Sequence, residues 1–159
     1  HSMLEKISFE DGLTGVYNRN KFNSVIDEKS KCFIDTGVVY FDINGLKEVN
    51  DTEGHSAGDL LIKDAAKCID AIFKGDTYRI GGDEFVVIKS NVDKTAFENS
   101  VRDVISELNT KVERGAAKGL YTTVGAAQFY EDMYELEEGF HCGTIFPELS
   151  KPFIGCDRV

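Results

Sequence analysis

The sequence predicts an α+β fold in which helices flank a mixed or antiparallel central sheet. Its 159 residues suit one domain, and 42% of them are apolar, which is enough to bury a core. Apolar spacing changes between helical and strand periods in the order helix, strand, helix, hairpin, helix, strand. Because a hairpin pairs its strands antiparallel, a hairpin within this order excludes a purely parallel sheet.

Local signals place the first of these elements. Asn18 is a candidate N-cap for a helix over 19–29, because its side-chain oxygen can accept from the free N–H groups of the first turn. A run of apolar, β-branched and aromatic residues predicts a buried strand over 37–43, and Asn44-Gly45 predicts a turn after it. A helix over 56–73 follows, opened by the Ser-x-x-Asp form of a capping box.

The later elements begin with the hairpin. Strands predicted over 77–80 and 85–88 are joined by a Gly-Gly-Asp-Glu segment, whose glycines are expected to supply the positive φ of a tight turn. An amphipathic helix comes next, with Thr95 and Glu98 as a candidate capping box. A last strand is predicted over 120–129, which completes the order from which the fold class follows.

The charge balance excludes one class of function. The formal net charge is -10, from 18 Lys and Arg against 28 Asp and Glu, whereas general DNA or RNA binding requires clustered cations. We therefore expect no nucleic-acid polymer as a partner. A phosphorylated small molecule would need a divalent cation to offset the repulsion.

Two sequence features bear on location. The chain has no apolar run of the ~20 residues that a membrane helix needs and no signal peptide, so we expect no membrane contact. Its four cysteines contain no C-x-x-C pair, which is typical of free thiols in a reducing cytosol. A cytoplasmic location is expected, with the chain as a piece of a larger protein.

Three acidic residues lie where predicted strands begin or end. Asp42 ends the buried strand, and Asp83 and Glu84 lie at the hairpin tip, so neighbouring strands could hold the carboxylates a few ångströms apart. Such carboxylates repel one another unless a cation lies between them. Oxygen ligands without His or Cys nearby favour Mg²⁺ or Mn²⁺ over Zn²⁺. Spacing alone leaves the alternative open that Asp83 is only a turn residue and Asp42 only ends a strand.

Four stretches carry a resemblance to a known family. They are Asp11–Arg19 (DGLTGVYNR), Phe41–Asp51 (FDINGLKEVND), Gly54–Asp59 (GHSAGD) and Arg79–Phe85 (RIGGDEF). The last contains the intact signature of the GGDEF domain family, the diguanylate cyclases. The others resemble, in the family's order, its motifs D-x-L-T-G-L-x-N-R, F-D-x-D-x-F-K-x-x-N-D and G-H-x-x-G-D. The chain is therefore identified as a member of this family from its motifs.

The resemblance implies a fold similar to the polymerase palm and the class III nucleotide cyclases. It also implies a reaction in which two GTP molecules condense into cyclic di-GMP and two pyrophosphates. Each 3′-hydroxyl attacks the α-phosphate of the other GTP. Catalysis then requires a homodimer, and an upstream sensor domain is the expected regulator.

The resemblance also implies which residues hold the metal. Asp42 is expected to bind it through its carboxylate and Ile43 through its backbone carbonyl. Asp83 is expected to bind metal and to deprotonate the 3′-hydroxyl. Glu84 shares the metal or the proton, and the sequence does not divide these two roles. The implied cofactor is Mg²⁺ or Mn²⁺, which offsets charge on the phosphates.

Four further residues are implied to bind the nucleotide. Asn50 and Asp59 match the family's guanine-reading pair, and a carboxylate can accept from both N1–H and N2–H₂ of guanine. Adenine lacks these donors, so Asp59 would be left unpaired against ATP. Lys47 and His55 are expected to approach phosphate or ribose. The alternatives are that Asp59 only caps a helix and that Lys47 and His55 are structural.

The sequence departs from the family in three places. Asn44 replaces the second acid of the F-D-x-D motif, which the family tolerates. Ile72–Gly75 (IFKG) replaces the R-x-x-D motif of product inhibition, so we expect the chain to escape that inhibition. The family's last helix carries a Lys and then an Arg four residues later, which hold the triphosphate. Here Glu131–Glu138 is acidic, and Lys151 and Arg158 are seven apart.

These features divide the chain and leave two functions open. Residues 1–3 are predicted to derive from an expression vector, 4–140 to form the GGDEF domain, and 141–159 to be an atypical tail. An active cyclase is favoured by the intact acidic and guanine-binding positions. A catalytically silent module that binds GTP and signals by its shape is favoured by the unusual end of the chain.

Overall fold

This computed structural model describes residues 3–29, 35–113 and 124–130, which contain five helices and four strands. The helices are α1 (Met3–Phe9), α2 (Arg19–Lys29), α3 (Leu46–Glu53), α4 (His55–Ile72) and α5 (Lys94–Glu113). The strands are β1 (Thr36–Asp42), β2 (Thr77–Arg79), β3 (Glu84–Lys89) and β4 (Val124–Tyr130).

The strands form one sheet in the order β2-β3-β1-β4, and each neighbouring pair is antiparallel. The predicted α+β class is confirmed, with an antiparallel rather than a mixed sheet. The predicted hairpin is β2 and β3, and the run over 37–43 gives the central strand β1. Central position explains its composition, since a strand with neighbours on both edges and helices against it is mostly buried.

Alternation along β1 separates two apolar clusters on opposite faces of the sheet. Val39 and Phe41 point to a core formed with α4 and α5, whereas Val38 points to a smaller cluster with α2. At Gly37 a side chain would collide with the ring of Phe97 from α5, so the glycine permits close packing of that helix.

The helix α3 is a finding that the sequence pattern did not predict. Only a turn was expected after β1, at Asn44-Gly45. Gly45 does form the start of the helix, with φ 80° in the left-handed region, but eight residues of helix follow. The sequence pattern contains no helical signal here for a physical reason. Val49 is the one buried residue of α3, so the segment carries no repeating apolar face.

The cap predicted for α2 is confirmed. The backbone N–H of Lys21 donates to Asn18 Oδ1 at 3.0 Å, and α2 begins and ends at the predicted residues.

Both predicted capping boxes are wrong. Helix α4 begins at His55 with Gly54 as its N-cap and without a side-chain cap hydrogen bond, because Gly54 also ends α3 and leaves no room for a longer entry. Helix α5 is capped by Asp93, whose Oδ2 accepts from the N–H of Ala96 at 3.1 Å. Thr95 and Glu98 lie inside that helix.

Several predictions concern segments that are described in part or not at all. The last strand is present as β4, and Cys68 is buried in α4. The other cysteines, the acidic segment 131–138 and the tail 141–159 lie outside the described residues. Among the described helices, none is both long and apolar enough to cross a membrane.

Candidate active site

The adjacent ends of β1 and β3 bring the predicted metal-binding residues together. Asp42 is paired with Glu84 in the antiparallel register, and the N–H of Ile43 donates to the carbonyl oxygen of Asp83 at 2.8 Å. Because these contacts continue the sheet ladder, the four residues are fixed by rigid backbone. The clustering expected from the strand ends is therefore found.

An open cavity of about 600 Å³ lies between this end of the sheet and α3. Its walls include Asp42, Ile43, Lys47 and Asp83, and the remaining lining residues are Asn44, Gly45, Leu46, Glu48, Asp51 and Thr52. Four of these residues are acidic, and Lys47 is the only cation among the described residues that line it. A polyanionic ligand would therefore need additional positive charge to bind here.

The surroundings of Asp42 disfavour the negative charge of its carboxylate. Burial, followed by the charges of Asp83 and Glu84, raises the pKa of the Asp42 carboxyl above its ordinary value of 3.8. No group of three or more His, Cys, Asp or Glu side chains in the described part converges closely enough to hold a metal by itself. The donors do fit a magnesium ion that takes one or two carboxylates from protein and the rest from phosphate and water.

Tyr40 is a site residue that the sequence analysis missed. Its hydroxyl donates to Glu84 Oε1 at 2.8 Å. Burial, then the hydrogen bond and charge of Glu84, raises the pKa of Tyr40, so the hydroxyl stays protonated and remains a donor. A signal was present in the sequence: Tyr40 precedes Asp42 by two positions, which places both side chains on one face of β1.

The hairpin glycines have a different role from the expected one. Neither Gly81 nor Gly82 has a φ in the left-handed region, so the prediction of positive φ was wrong. A side chain at Gly81 would collide with the carboxylate of Glu84. Gly81 is thus required for space beside Glu84 rather than for its backbone angle.

The predicted guanine-binding residues lie where α3 meets α4. A Cβ atom at Gly58 would overlap the side-chain amide of Asn50 and lie 3.1 Å from Leu46 Cδ1, so the glycine lets the two helices touch. Asp59 follows Gly58 and is exposed. Since no side chain caps α4, the alternative that Asp59 serves only as a helix cap is wrong.

The two predicted phosphate or ribose contacts differ in their positions. Lys47 is exposed in the first turn of α3 and lines the cavity. His55 is exposed at the first residue of α4 and is not among the described residues that line the cavity. The structure therefore brings Lys47, but not His55, to the carboxylates.

Polar contacts of Arg79 connect the hairpin of β2 and β3 to Asp11. Arg79 donates from Nε and Nη2 to the carbonyl oxygen of Gly82, at 3.2 and 2.8 Å, and from Nη1 to Asp11 Oδ2 at 3.1 Å. The N–H and hydroxyl of Thr14 also donate to Asp11. Burial raises the pKa of Asp11, but these contacts outweigh it and hold that pKa below its usual value. The motif at Asp11–Arg19 therefore supports the motif at Arg79–Phe85.

Several known proteins are similar in sequence to this chain. A sequence model of the family described as "Diguanylate cyclase, GGDEF domain" matches residues 8–142. The cyclic di-GMP phosphodiesterase PdeR of Escherichia coli K12 is 34% identical over 124 residues, which make up 76% of this chain and 19% of PdeR. The probable diguanylate cyclase DgcC of the same strain is 31% identical over 142 residues, 85% of this chain and 38% of DgcC.

Among solved structures, the coiled coil and GGDEF domain of DgcB from Caulobacter crescentus, in complex with c-di-GMP, has the same fold. The TM-score is 0.68 at 21% identity, and the match covers 89% of this chain and 85% of that chain. The chain spans less than half the length of the two curated relatives. The family match covers most of the chain, including all four motifs, and the chain belongs to the GGDEF domain family.

Proposed function

We propose that this chain is a diguanylate cyclase domain, which condenses two GTP molecules into cyclic di-GMP and two pyrophosphates. The observation that carries the proposal is that Asp42 and Asp83, from two separate motifs, line one cavity together with Ile43. Two carboxylates and a backbone carbonyl oxygen at one cavity wall are oxygen ligands of the kind that Mg²⁺ prefers. Membership in the GGDEF family supports this reaction.

In the proposed reaction, a carboxylate oxygen of Asp83 accepts the proton of a 3′-hydroxyl. The 3′-oxygen then bonds to the α-phosphorus of the other GTP, and the bond from that phosphorus to the bridging oxygen of pyrophosphate breaks. Repeating this step closes the ring. Asp42, the Ile43 carbonyl and Asp83 would hold Mg²⁺ or Mn²⁺, which when bound offsets negative charge on the phosphates.

Recognition of GTP is proposed for the junction of α3 and α4. The exposed carboxylate of Asp59 can accept from N1–H and N2–H₂ of guanine. The side-chain amide of Asn50 lies against Gly58, the residue before Asp59. We propose that Lys47, which lines the cavity, contacts phosphate, and that His55, which is not among the described lining residues, contacts ribose or phosphate outside it. Because ATP offers no donor pair to Asp59, we propose that ATP is rejected.

The contact between Gly58 and Asn50 gives a testable prediction. We expect Gly58→Ala to weaken GTP binding by about tenfold, because overpacking of 1–3 kcal/mol displaces the Asn50 amide. The fold should remain, since Ala is the better helix former. Calorimetry of GTP binding, with Ser56→Ala in the same turn as the control, measures this. An unchanged affinity in Gly58→Ala would show that Asn50 does not contact the base.

Assembly is part of the proposal. Each GTP supplies one 3′-hydroxyl and one α-phosphate, so two chains, each holding one GTP, must face each other for both bonds to form. We propose a homodimer formed under the control of an upstream sensor domain. The shorter span of this chain relative to PdeR and DgcC leaves room for such a domain in the whole protein.

A second candidate function is supported by the charge of the cavity. Among its described lining residues, four carboxylates and a single lysine supply little positive charge to offset the negative charge that develops on the phosphates during transfer, which favours binding without turnover. A GGDEF domain that binds GTP without cyclising it would serve as an interaction module. The relative named a phosphodiesterase, PdeR, matches this chain through only 19% of its own length.

Product analysis distinguishes the two candidates. Protein well above micromolar concentration is incubated with GTP and Mg²⁺ or Mn²⁺, and products are identified by chromatography and mass spectrometry. Cyclic di-GMP that disappears with EDTA, and does not form when ATP replaces GTP, supports the cyclase. GTP binding without product, also after fusion to a dimerising segment, supports the silent module.

Product inhibition is expected to be absent. Ile72 ends α4, Phe73 is 3% exposed and packs on Phe97, and Gly75 has φ 82°, so these positions offer neither the Arg nor the Asp of an inhibitory motif. We expect cyclic di-GMP to bind only in competition with GTP. Calorimetric titration of cyclic di-GMP into protein saturated with a non-reactive GTP analogue measures this. Tight binding under that condition would contradict the prediction.

A further inference from the structure

Tyr40 connects the central strand to the signature hairpin by a side chain. On β1 it is paired with Val86 of β3, and its hydroxyl reaches diagonally to Glu84 Oε1 at 2.8 Å. Strand alternation places Tyr40 and Asp42 on the same face, so the phenol lies beside the carboxylates. The charges of Asp42 and Asp83 act on Tyr40 as well as that of Glu84.

Glu84 is held at both its backbone and its side chain. Its carbonyl oxygen accepts from the N–H groups of Ile80 and Gly81, at 3.0 and 3.4 Å. Its carboxylate occupies the space that Gly81 leaves free and accepts from Tyr40. A glutamate has three rotatable side-chain bonds, so without such a donor its carboxylate would sample several positions.

Asp83 is placed differently. Its carbonyl oxygen accepts from Ile43, and its side chain lines the cavity with Asp42. Glu84 is not among the described residues that line this cavity. Asp83 therefore lines the cavity in which a ligand would lie, whereas Glu84 is held by Tyr40 and is not among the described lining residues.

We propose that Tyr40 is a positioning residue that holds the Glu84 carboxylate in place as a support of the metal site, leaving Asp83 to accept the substrate proton. This inference rests on the proposed function and divides the roles of the two acids. Hydrogen-bond donors to such carboxylates orient them, and their loss typically lowers metal affinity by 10–100-fold.

The test compares Tyr40→Phe, which removes only the hydroxyl, with Tyr78→Phe, which removes a hydroxyl from β2, on the other side of β3. Mn²⁺ binding to protein saturated with a non-reactive GTP analogue is measured by electron paramagnetic resonance. We expect Tyr40→Phe to weaken Mn²⁺ binding by about tenfold and Tyr78→Phe to leave it unchanged. In a Glu84→Ala background, Tyr40→Phe should have no further effect, because the partner is already absent.

A second measurement does not depend on metal. Urea unfolding in EDTA, across the same four combinations at positions 40 and 84, reports whether the Tyr40–Glu84 contact exists in solution. Unchanged Mn²⁺ affinity in Tyr40→Phe, or a weakening that persists in Glu84→Ala, would overturn the role of Tyr40 alone. Absence of Mn²⁺ binding in the unsubstituted protein would overturn the metal site and that role together. Additive unfolding effects would exclude the contact itself.

Discussion

The Asp83→Asn variant is expected to lose cyclic di-GMP formation by at least ~10³-fold while binding GTP nearly as well as the unsubstituted protein. Asparagine has the same shape but can neither accept the proton of the 3′-hydroxyl nor provide negative charge to a metal, and loss of a general base alone lowers rates by 10²–10⁴-fold. Guanine recognition is proposed at Asn50 and Asp59, on α3 and α4, so affinity is largely retained.

Single-turnover product analysis and calorimetry of GTP binding measure the two parts of this prediction. Asp27→Asn, an exposed acid on α2, is the matched control and should leave both values unchanged. The comparison with Glu84→Gln is decisive for the division of roles. If Asp83→Asn kept more than a tenth of the activity while Glu84→Gln lost it, the base would be Glu84.

The Asp42→Asn variant is expected to lose turnover by at least ~10²-fold and, at the same time, to stabilise the fold. Burial and the charges of Asp83 and Glu84 raise the pKa of Asp42 in the folded protein above its ordinary value of 3.8. The folded state therefore binds this proton more tightly than the unfolded state. The free energy of unfolding then falls as pH rises from about the ordinary value through the raised one, and stays lowered at neutral pH.

Asparagine removes this repulsion, so the melting temperature at pH 7 in EDTA should rise by about 2 °C. At pH 3, where the carboxyl is protonated in both states, the variant and the unsubstituted protein should converge. Thermal unfolding followed by circular dichroism across this pH range measures the effect. A variant less stable than the parent at pH 7 would show that the carboxylate is not under electrostatic strain.

Local sequence patterns predicted the elements whose burial is regular. The run at Val38–Phe41 is buried because β1 is central, and Asn18 caps α2 through a bond within three residues. The short helix α3 has a single buried residue and gave no period. The capping boxes failed because the sequence offered several polar candidates, and the packing of neighbouring elements chose Gly54 and Asp93.

The candidate site was also predicted only in part from the sequence. The predicted strand ends indicated that Asp42, Asp83 and Glu84 would lie close together, since the ends of paired strands are adjacent, and the family resemblance added Ile43. The similarity to the polymerase palm, the tail from 141 onward and the roles of Lys151 and Arg158 stay predictions, and the last two concern residues outside the described part.

The sequence by itself determined the family, the order of the described elements other than α1 and α3, and the acidic ends of two strands, because these depend on residue types within short windows. Only the tertiary structure decided that Tyr40 binds Glu84, that Gly58 makes room for Asn50, and that Arg79 ties Asp11 to the hairpin. The first and third contacts join residues far apart in the chain, and the second joins residues of two successive helices. Strand register and the closest approach of two backbones set them, and no local propensity encodes either.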